Sequence, residues 1–506
     1  MLKSRGNDMN QSIRQFGVLL AALIIGIGIL FLLFPQVMLV FLMFFEFIAI
    51  ILSIYILFKR TDVTSIKVAW ILTLYCLPIV GIFLYLFFGR SQLKSTAIQK
   101  KEQQYLHEYV QTLRTNHTSP TSMLKIKNER LADKKVLGDN RFDILTDGEA
   151  TFDAIFTAIE DAKEHIHLFY FIIKEDELAE KLKKSLIKKA QEGVKVRFAV
   201  DGLGSLKLSD AYLNALREAN VEVCIFNPIR TFYHLFRANW RNHRKVIVID
   251  GRIGFTGGMN IGNEYLGLTE KFSSWRDTHM RLQGPVVTQL QETFLYDWLY
   301  MKNTTGSASE FLSEQYFPIN YAGDDEGQVI YGGPYDQERV IRDVFFNMID
   351  SATAKISIAS PYFVPDDEML ALLRRAARNG IEVEILIPGK GDRKLSYYGN
   401  DFYLETLISA GIKVYKYDNT AFLHCKVMII DEKIATVGST NFDIRSFDIN
   451  HEVSVILYNG KGVKKLAEDY RRDMQKATEI TDVALTERSR WKKIKGRVCG
   501  LFAPLL

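Results

Sequence analysis

Apolar residues are spread very unevenly along this chain of 506 residues. Phe16–Phe34, Val37–Phe58 and Val68–Phe88 are nearly continuous apolar runs of 19, 22 and 21 residues. Each is long enough to cross a bilayer core, so residues 1–90 predict a membrane region of two or three helices. Only Pro35-Gln36 separates the first two runs, which is tight for a helical hairpin, and Pro78 is expected to kink the third. Glu46 lies inside the second run, where an ionisable group is costly unless it faces protein or snorkels. A cleaved leader is a poor reading of the first run, because FLLFPQVM has no small-residue cleavage site. Residues 91–140 are polar and rich in Lys, Gln and Glu, and predict a tether with some helix.

From about residue 141 the pattern changes to short apolar strands alternating with amphipathic helices. His165–Ile173, Val194–Val200 and Val221–Phe226 are strand-like, and Glu177–Gln191 is a helical pattern ended by Gly193. The order recurs later. Lys355–Val364, Ile381–Ile387 and Ile412–Tyr417 are strand-like, and Asp367–Asn379 is a helix ended by Gly380. Strands alternating with helices imply parallel or mixed sheets covered on both faces. The predicted fold is α/β, with similar α/β/α halves over 141–300 and 326–485. A connection spans 301–325, and a basic tail covers 486–506.

Each half carries one copy of a polar strip. The first, HRKVIVIDGRIGFTGGMN, runs from His243 to Asn260, and the second, HCKVMIIDEKIATVGSTN, from His424 to Asn441. Both read His-x-Lys, four residues, Asp, six residues, Gly-(Gly/Ser)-x-Asn, and the offset is 181 residues at every matched position. A lone His on a strand is usually structural, but two strips at constant offset leave almost no room for chance. Val246–Ile249 and Val427–Ile430 read as strands buried on both faces. Side chains alternate along a strand, so His243 and Lys245 share a face, as do His424 and Lys426. Asp250 and Asp431 close their strands, and the glycines beyond allow close backbone approach before Asn260 and Asn441.

The duplicated strip resembles the signature of the phospholipase D superfamily. With the N-terminal apolar segments, nearly the whole chain is similar to the bacterial cardiolipin synthases of that superfamily, least so over residues 1–35. The resemblance implies two halves sharing one site at their interface, in a multi-pass protein of the bacterial cell membrane with its catalytic domain in the cytoplasm. The basic residues flanking the apolar runs do not settle orientation, since they pull both ways. The resemblance also implies a carboxylate beyond each strip that holds the histidine in the right tautomer. Glu452, 28 residues after His424, matches that position, and Asp277 is its counterpart in the first half.

A phosphodiester is an anion, so attack on it needs charge neutralisation, a nucleophile and a proton donor for the leaving alkoxide. Two His, two Lys and two Asn can supply these without a metal. One neutral imidazole can attack phosphorus to form a phospho-histidine, while the other protonates the leaving group and then activates the incoming alcohol. Spacing leaves open which is which. The expected catalytic set is His243, Lys245, Asp250, His424, Lys426 and Asp431, with the two aspartates bracing the strips rather than touching phosphorus. Asn260, Asn441, Glu452 and Asp277 support it, with no metal and no cofactor.

Composition changes this picture little. Apolar residues make up 48% and charged residues 24% of the chain, with a net charge of +5 and four scattered cysteines. No zinc site or disulfide framework is suggested. Charge placement matters more. Thr231–Trp240 (TFYHLFRANW) is aromatic and basic, suited to a wall for acyl chains or to a packed loop. The tail Arg488–Leu506 carries six Lys or Arg and suits an anionic lipid surface. His165 and His167 alternate on one strand with no third ligand nearby, as in an ordinary half-buried strand. What the resemblance implies, together with the membrane region and these flanks, is phosphatidylglycerol in anionic membrane lipid as substrate, converted to cardiolipin and glycerol. A phospholipase using water, or a transferase with another alcohol, is the alternative. A nucleic-acid substrate is disfavoured by the membrane segments, and a non-catalytic scaffold by the duplicated strips.

Overall fold

The computed structural model describes residues 35–59, 64–89, 96–113, 122–229, 239–334, 339–392 and 394–481, with a few single positions beyond. The first apolar run, residues 231–238 and nearly all of the tail lie outside these. The chain divides into two compact units, residues 1–93 with 227–239, and residues 94–226 with 240–506.

In the first unit, Pro35–Lys59 is one helix of 25 residues. Its segment Leu39–Phe58 is the one stretch among the described residues long and apolar enough to cross a membrane. The third apolar run breaks just before Pro78, where a kink was expected. It folds as helix Thr64–Cys76, helix Pro78–Leu84 and one wide turn, Tyr85–Gly89. Pro78 takes the first position of the second helix, where its missing N–H costs nothing. The multi-pass expectation therefore has no support among the described residues.

The second unit is built on strands in chain order. The first half contributes β1 (Leu137–Leu145), β2 (His165–Tyr170), β3 (Lys195–Asp201), β4 (Glu222–Phe226), β5 (Lys245–Ile249), β6 (Ile253–Gly257), β7 (Ser274–Arg276) and β8 (His279–Gln283). The second half adds β9 (Asp325–Gly332), β10 (Lys355–Ala359), β11 (Phe363–Val364), β12 (Glu382–Ile387), β13 (Lys413–Lys416) and β14 (Ala421–Leu423). It ends with β15 (Val427–Ile430), β16 (Ile434–Gly438), β17 (Phe442–Asp443), β18 (Glu452–Tyr458) and β19 (Thr478–Glu479).

Fifteen strands form one mixed sheet in the order β19-β13-β12-β10-β15-β16-β18-β9-β1-β8-β6-β5-β2-β3-β4. Read outward from the β9–β1 junction, seven strands of each half repeat in the same order, and β19 extends the second half by one more. β2–β3 and β10–β12 are parallel, while β2–β5 and β10–β15 are antiparallel. This is a duplicated α/β fold continued through a shared sheet. The alternation of strands and helices forms as the apolar pattern predicts. Helix Glu177–Gln191 has the predicted ends, with Gly193 beyond it at φ +92°.

Two segments differ from their sequence reading. Within residues 91–140 the expected helix forms, as Ala97–Thr112 and Met123–Ala132, but as packed elements rather than a loose tether. The first is docked along helix Val287–Lys302. Gln99 Nε2 donates to the Tyr300 carbonyl at 2.8 Å, Gln103 Nε2 to that of Tyr296 at 3.0 Å, and His107 Nδ1 meets Glu292 at 2.9 Å. Polar side chains that suggest solvent are here an interface with exposed-looking chemistry. His165 and His167 are fully buried rather than half-buried. Their strand β2 lies between β5 and β3, and the His167 ring stacks on Phe294 at 4.7 Å.

Candidate active site

The two histidines meet because each strip begins with a short excursion to the opposite half. In the second half, β14 pairs in parallel with β7, and the His424 N–H then donates to the Arg276 carbonyl at 2.7 Å. In the first half, Asn242 bridges to His451, and the His243 N–H donates to the His451 carbonyl at 2.9 Å. Arg276 precedes Asp277 and His451 precedes Glu452. Each histidine backbone is thus fastened beside the other half's carboxylate.

The side chains follow. His424 Nδ1 lies 2.6 Å from Asp277 Oδ2, and His243 Nδ1 lies 3.0 and 3.1 Å from the two Glu452 oxygens. Both carboxylates are fully buried. With Nδ1–H donating to a carboxylate, Nε2 is the nitrogen left for chemistry in both rings. Burial lowers the pKa of both histidines, that of His243 to about 4, which favours neutral imidazoles before substrate arrives. Burial pushes Asp277 and Glu452 up, but their positive neighbours outweigh it, so both are held below the ordinary carboxylate range.

Lys245 and Lys426 sit between these pairs. Lys245 Nζ donates to the His243 carbonyl at 2.6 Å. Lys426 Nζ donates to the His424 carbonyl and lies 2.9 Å from His424 Nδ1. Burial pushes Lys245 down to about 7 and also lowers Lys426. An arriving phosphodiester anion would favour the charged form of both.

The remaining expected residues fall into two groups. Asn260 is close to the site but engaged, its Nδ2 donating to the Tyr265 hydroxyl at 2.9 Å and its Oδ1 accepting from Ile172 N–H at 3.2 Å. Asn441 is buried, and its Oδ1 has no protein partner among the described residues. Asp250 and Asp431 stand at the far ends of β5 and β15, about 16 Å along the strand from the lysines. Asp250 accepts from the N–H groups of Lys163, Glu164 and His165, each at 2.8 Å. Asp431 does the same for Thr353, Ala354 and Lys355. Both adopt φ +53°. They brace the strips and do not reach the histidines.

Sequence reasoning missed several neighbours. Ser439 donates to Glu452, and Asn450 Nδ2 donates to it at 3.3 Å. The first-half equivalent of Ser439 is Gly258, where a Cβ would fall 2.1 Å from Asp277 Oδ1. The Gly/Ser variation in the strip was the available signal. Aromatic rings wall both histidines: Phe171 at 4.8 Å from His243, and Phe422, Trp275 and Tyr265 at 5.7, 5.8 and 6.1 Å from His424. Among the described residues, no group of three or more His, Cys, Asp or Glu could hold a metal ion.

Comparison with known proteins places the chain in a family. Residues 155–298 and 345–474 match the family model "Cardiolipin synthase, PLD-like domain", and residues 47–90 match "Phospholipase_D-nuclease N-terminal". The chain is 42% identical over 450 residues to the cardiolipin synthase of Geobacillus sp. (strain WCH70), covering 87% of this chain and 88% of that one. It is 40% identical over 465 residues to cardiolipin synthase 1 of Bacillus anthracis, covering 89% and 91%. The phosphatidylserine synthase of Haemophilus influenzae Rd KW20 shares the fold, with a TM-score of 0.59 at 16% identity over 76% of this chain and all of that one. The chain belongs to the cardiolipin synthase family of phosphatidyltransferases, within the phospholipase D superfamily.

Proposed function

We propose that the protein transfers a phosphatidyl group from one phosphatidylglycerol to another, giving cardiolipin and glycerol. The phosphodiester anion, on binding, favours a protonated His424; His243 Nε2 then attacks phosphorus, and the glycerol oxygen leaves with the Nε2 proton of His424. His424 then takes the proton from a hydroxyl of the second phosphatidylglycerol. That oxygen attacks phosphorus, the N–P bond breaks, and both histidines return to their starting states. Lys245, Lys426, Asn260 and Asn441 neutralise and hold the non-bridging oxygens, while Asp277 and Glu452 orient the rings. Supporting this reading is one observation above all: two imidazoles, each tied through Nδ1 to a buried carboxylate of the other half.

Transfer requires water to be kept from the phospho-histidine. The aromatic rings beside both histidines serve that exclusion. We place the reaction at the bacterial cell membrane, with anionic lipid as partner, the catalytic unit cytoplasmic and residues 1–90 as the membrane region. Residues 141–300 and 326–485 are the two catalytic halves.

The test is product analysis with purified full-length protein in phosphatidylglycerol vesicles. Cardiolipin and free glycerol should appear in equal amounts with little phosphatidic acid, and added glycerol should drive the reaction backwards. Phosphatidic acid as the main product would replace the synthase reading with a phospholipase.

A further inference from the structure

The two lysines of the site occupy matching positions in rows that run across the sheet, and the rows differ at one place. Val246 pairs with Thr256 and Gly257 with His279, so Lys245, Gly257 and His279 form a row over β5, β6 and β8. Val427 pairs with Val437 and Gly438 with Ser454, so the second row is Lys426, Gly438 and Ser454. Cross-strand neighbours point to the same face.

Both lysines donate to the carbonyl of the histidine two residues before them, and in the second row Ser454 Oγ also has a partner, Thr440 Oγ1 at 2.9 Å. In the first row, His279 is fully buried, yet neither of its ring nitrogens has a protein partner among the described residues. Leaving a buried donor or acceptor unpaired is costly. Its ring fills the space over Gly257, where a Cβ would lie 2.7 Å from His279 Nδ1. With no side chain at Gly257, nothing but backbone stands between the imidazole and Lys245 in this row.

We propose that His279 is a positioning residue for Lys245, its imidazole accepting a hydrogen bond from the ammonium through one bridging water across Gly257. The proposal rests on the phosphodiester reading above. Neighbouring strands are about 4.8 Å apart, and one water spans the gap left between a lysine and a histidine two strands away. Burial lowers His279 to about 4, so it stays a neutral acceptor at working pH. Lys245 faces Glu452, Lys426, Asp277 and Asp201, and His279 faces Asp277 and Lys245. An acceptor for the ammonium opposes the burial that drives Lys245 toward its neutral form.

The experiment compares His279→Leu and His279→Asn in purified full-length protein, reading total phosphatidylglycerol consumption against pH in mixed micelles. Counting consumption keeps the test valid whether the acceptor is lipid or water; no consumption by the unmodified protein would instead sink the function proposed above. His279→Leu should lower kcat about tenfold, leave KM within about twofold, and move the alkaline limb of kcat about one pH unit toward acid. His279→Asn keeps an acceptor and should hold the limb in place. A limb that stays put in His279→Leu, or moves equally in both variants, overturns the proposal. If His279→Leu does not fold, a limb shifted by a unit in His279→Asn overturns it, and an unshifted limb with kcat largely retained supports it.

Discussion

Asp277→Asn separates the crosswise site from one in which each half serves its own histidine. Asp277 stands in the first half and its carboxylate contacts the second-half histidine at 2.6 Å, while His243 relies on Glu452. A hydrogen bond to a charged group is worth about 1.5–3 kcal/mol, or about 10- to 150-fold in rate if it is fully expressed in the transition state. An amide can also present N–H to Nδ1 and select the wrong tautomer, which costs about 10⁴ in kcat in a serine-protease triad. The expected fall in kcat therefore lies between about 10 and 10⁴. KM should change only a few fold, because Asp277 touches a ring and not the lipid.

Two measurements check this. Steady-state kinetics in phosphatidylglycerol micelles give the split between kcat and KM. Diethyl pyrocarbonate labelling, followed by peptide mapping, gives the reactivity of each histidine separately. Asp277→Asn should change labelling at His424 and spare His243, and Glu452→Gln should do the reverse. If Asp277→Asn alters His243 instead, or lowers kcat less than about threefold, the crosswise assignment is wrong.

Three further outcomes follow from the same structure. Asp431→Ala removes the acceptor of three backbone N–H groups and one hydroxyl; it should cost about 2–3 kcal/mol of stability in denaturant titration while the surviving folded enzyme keeps most of its kcat. Burial pushes His165 down to about 4, so between about pH 6.5 and 4 the unfolded chain binds more protons and stability falls as pH drops. That loss is on the order of 3 kcal/mol for this histidine, and His165→Phe should flatten the acid slope of the urea midpoint; an unchanged slope would refute the assignment. Because Lys245 and Lys426 occupy the cationic positions, turnover should survive EDTA, and full loss restored by one divalent ion would count against the mechanism.

How much of this was legible in the sequence depends on the range of each interaction. The strips, their strands and the faces shared by His243 with Lys245 and His424 with Lys426 follow from the two-residue period of a strand, a local property. The helix ends at Gly193 and Gly380 are equally local, both glycines taking positive φ. Asp277 and Glu452 were placed as the supporting carboxylates, but not which histidine each supports. That depends on His424 bonding to Arg276 and His243 to His451, contacts set by packing one half against the other. The same limit explains residues 96–132: Gln99, Gln103 and His107 have the composition of a solvated helix, and only their partners on Val287–Lys302 show otherwise.

Duplication conceals differences as well as revealing the site. A constant offset draws attention to positions that match, so Gly258 and Ser439, or His279 and Ser454, look like noise beside His, Lys, Asp and Asn. On the mechanism proposed above, one histidine attacks and the other moves a proton, so the site is not symmetric in function and its asymmetry must lie in residues that do not match. Ser439 adds a hydroxyl donor to Glu452, whereas Gly258 brings bare backbone against Asp277. The carboxylate with more neutral donors spreads its charge further and supports a protonated ring less. His243, paired with Glu452, is therefore better kept neutral for attack, and His424, paired with Asp277 at 2.6 Å, better held as the acid. Replacing Ser439 with Gly should then shift the acid limb of the pH–rate profile upward, because Glu452 would favour protonation of His243 more strongly. An unchanged limb would remove this basis for telling the two histidines apart.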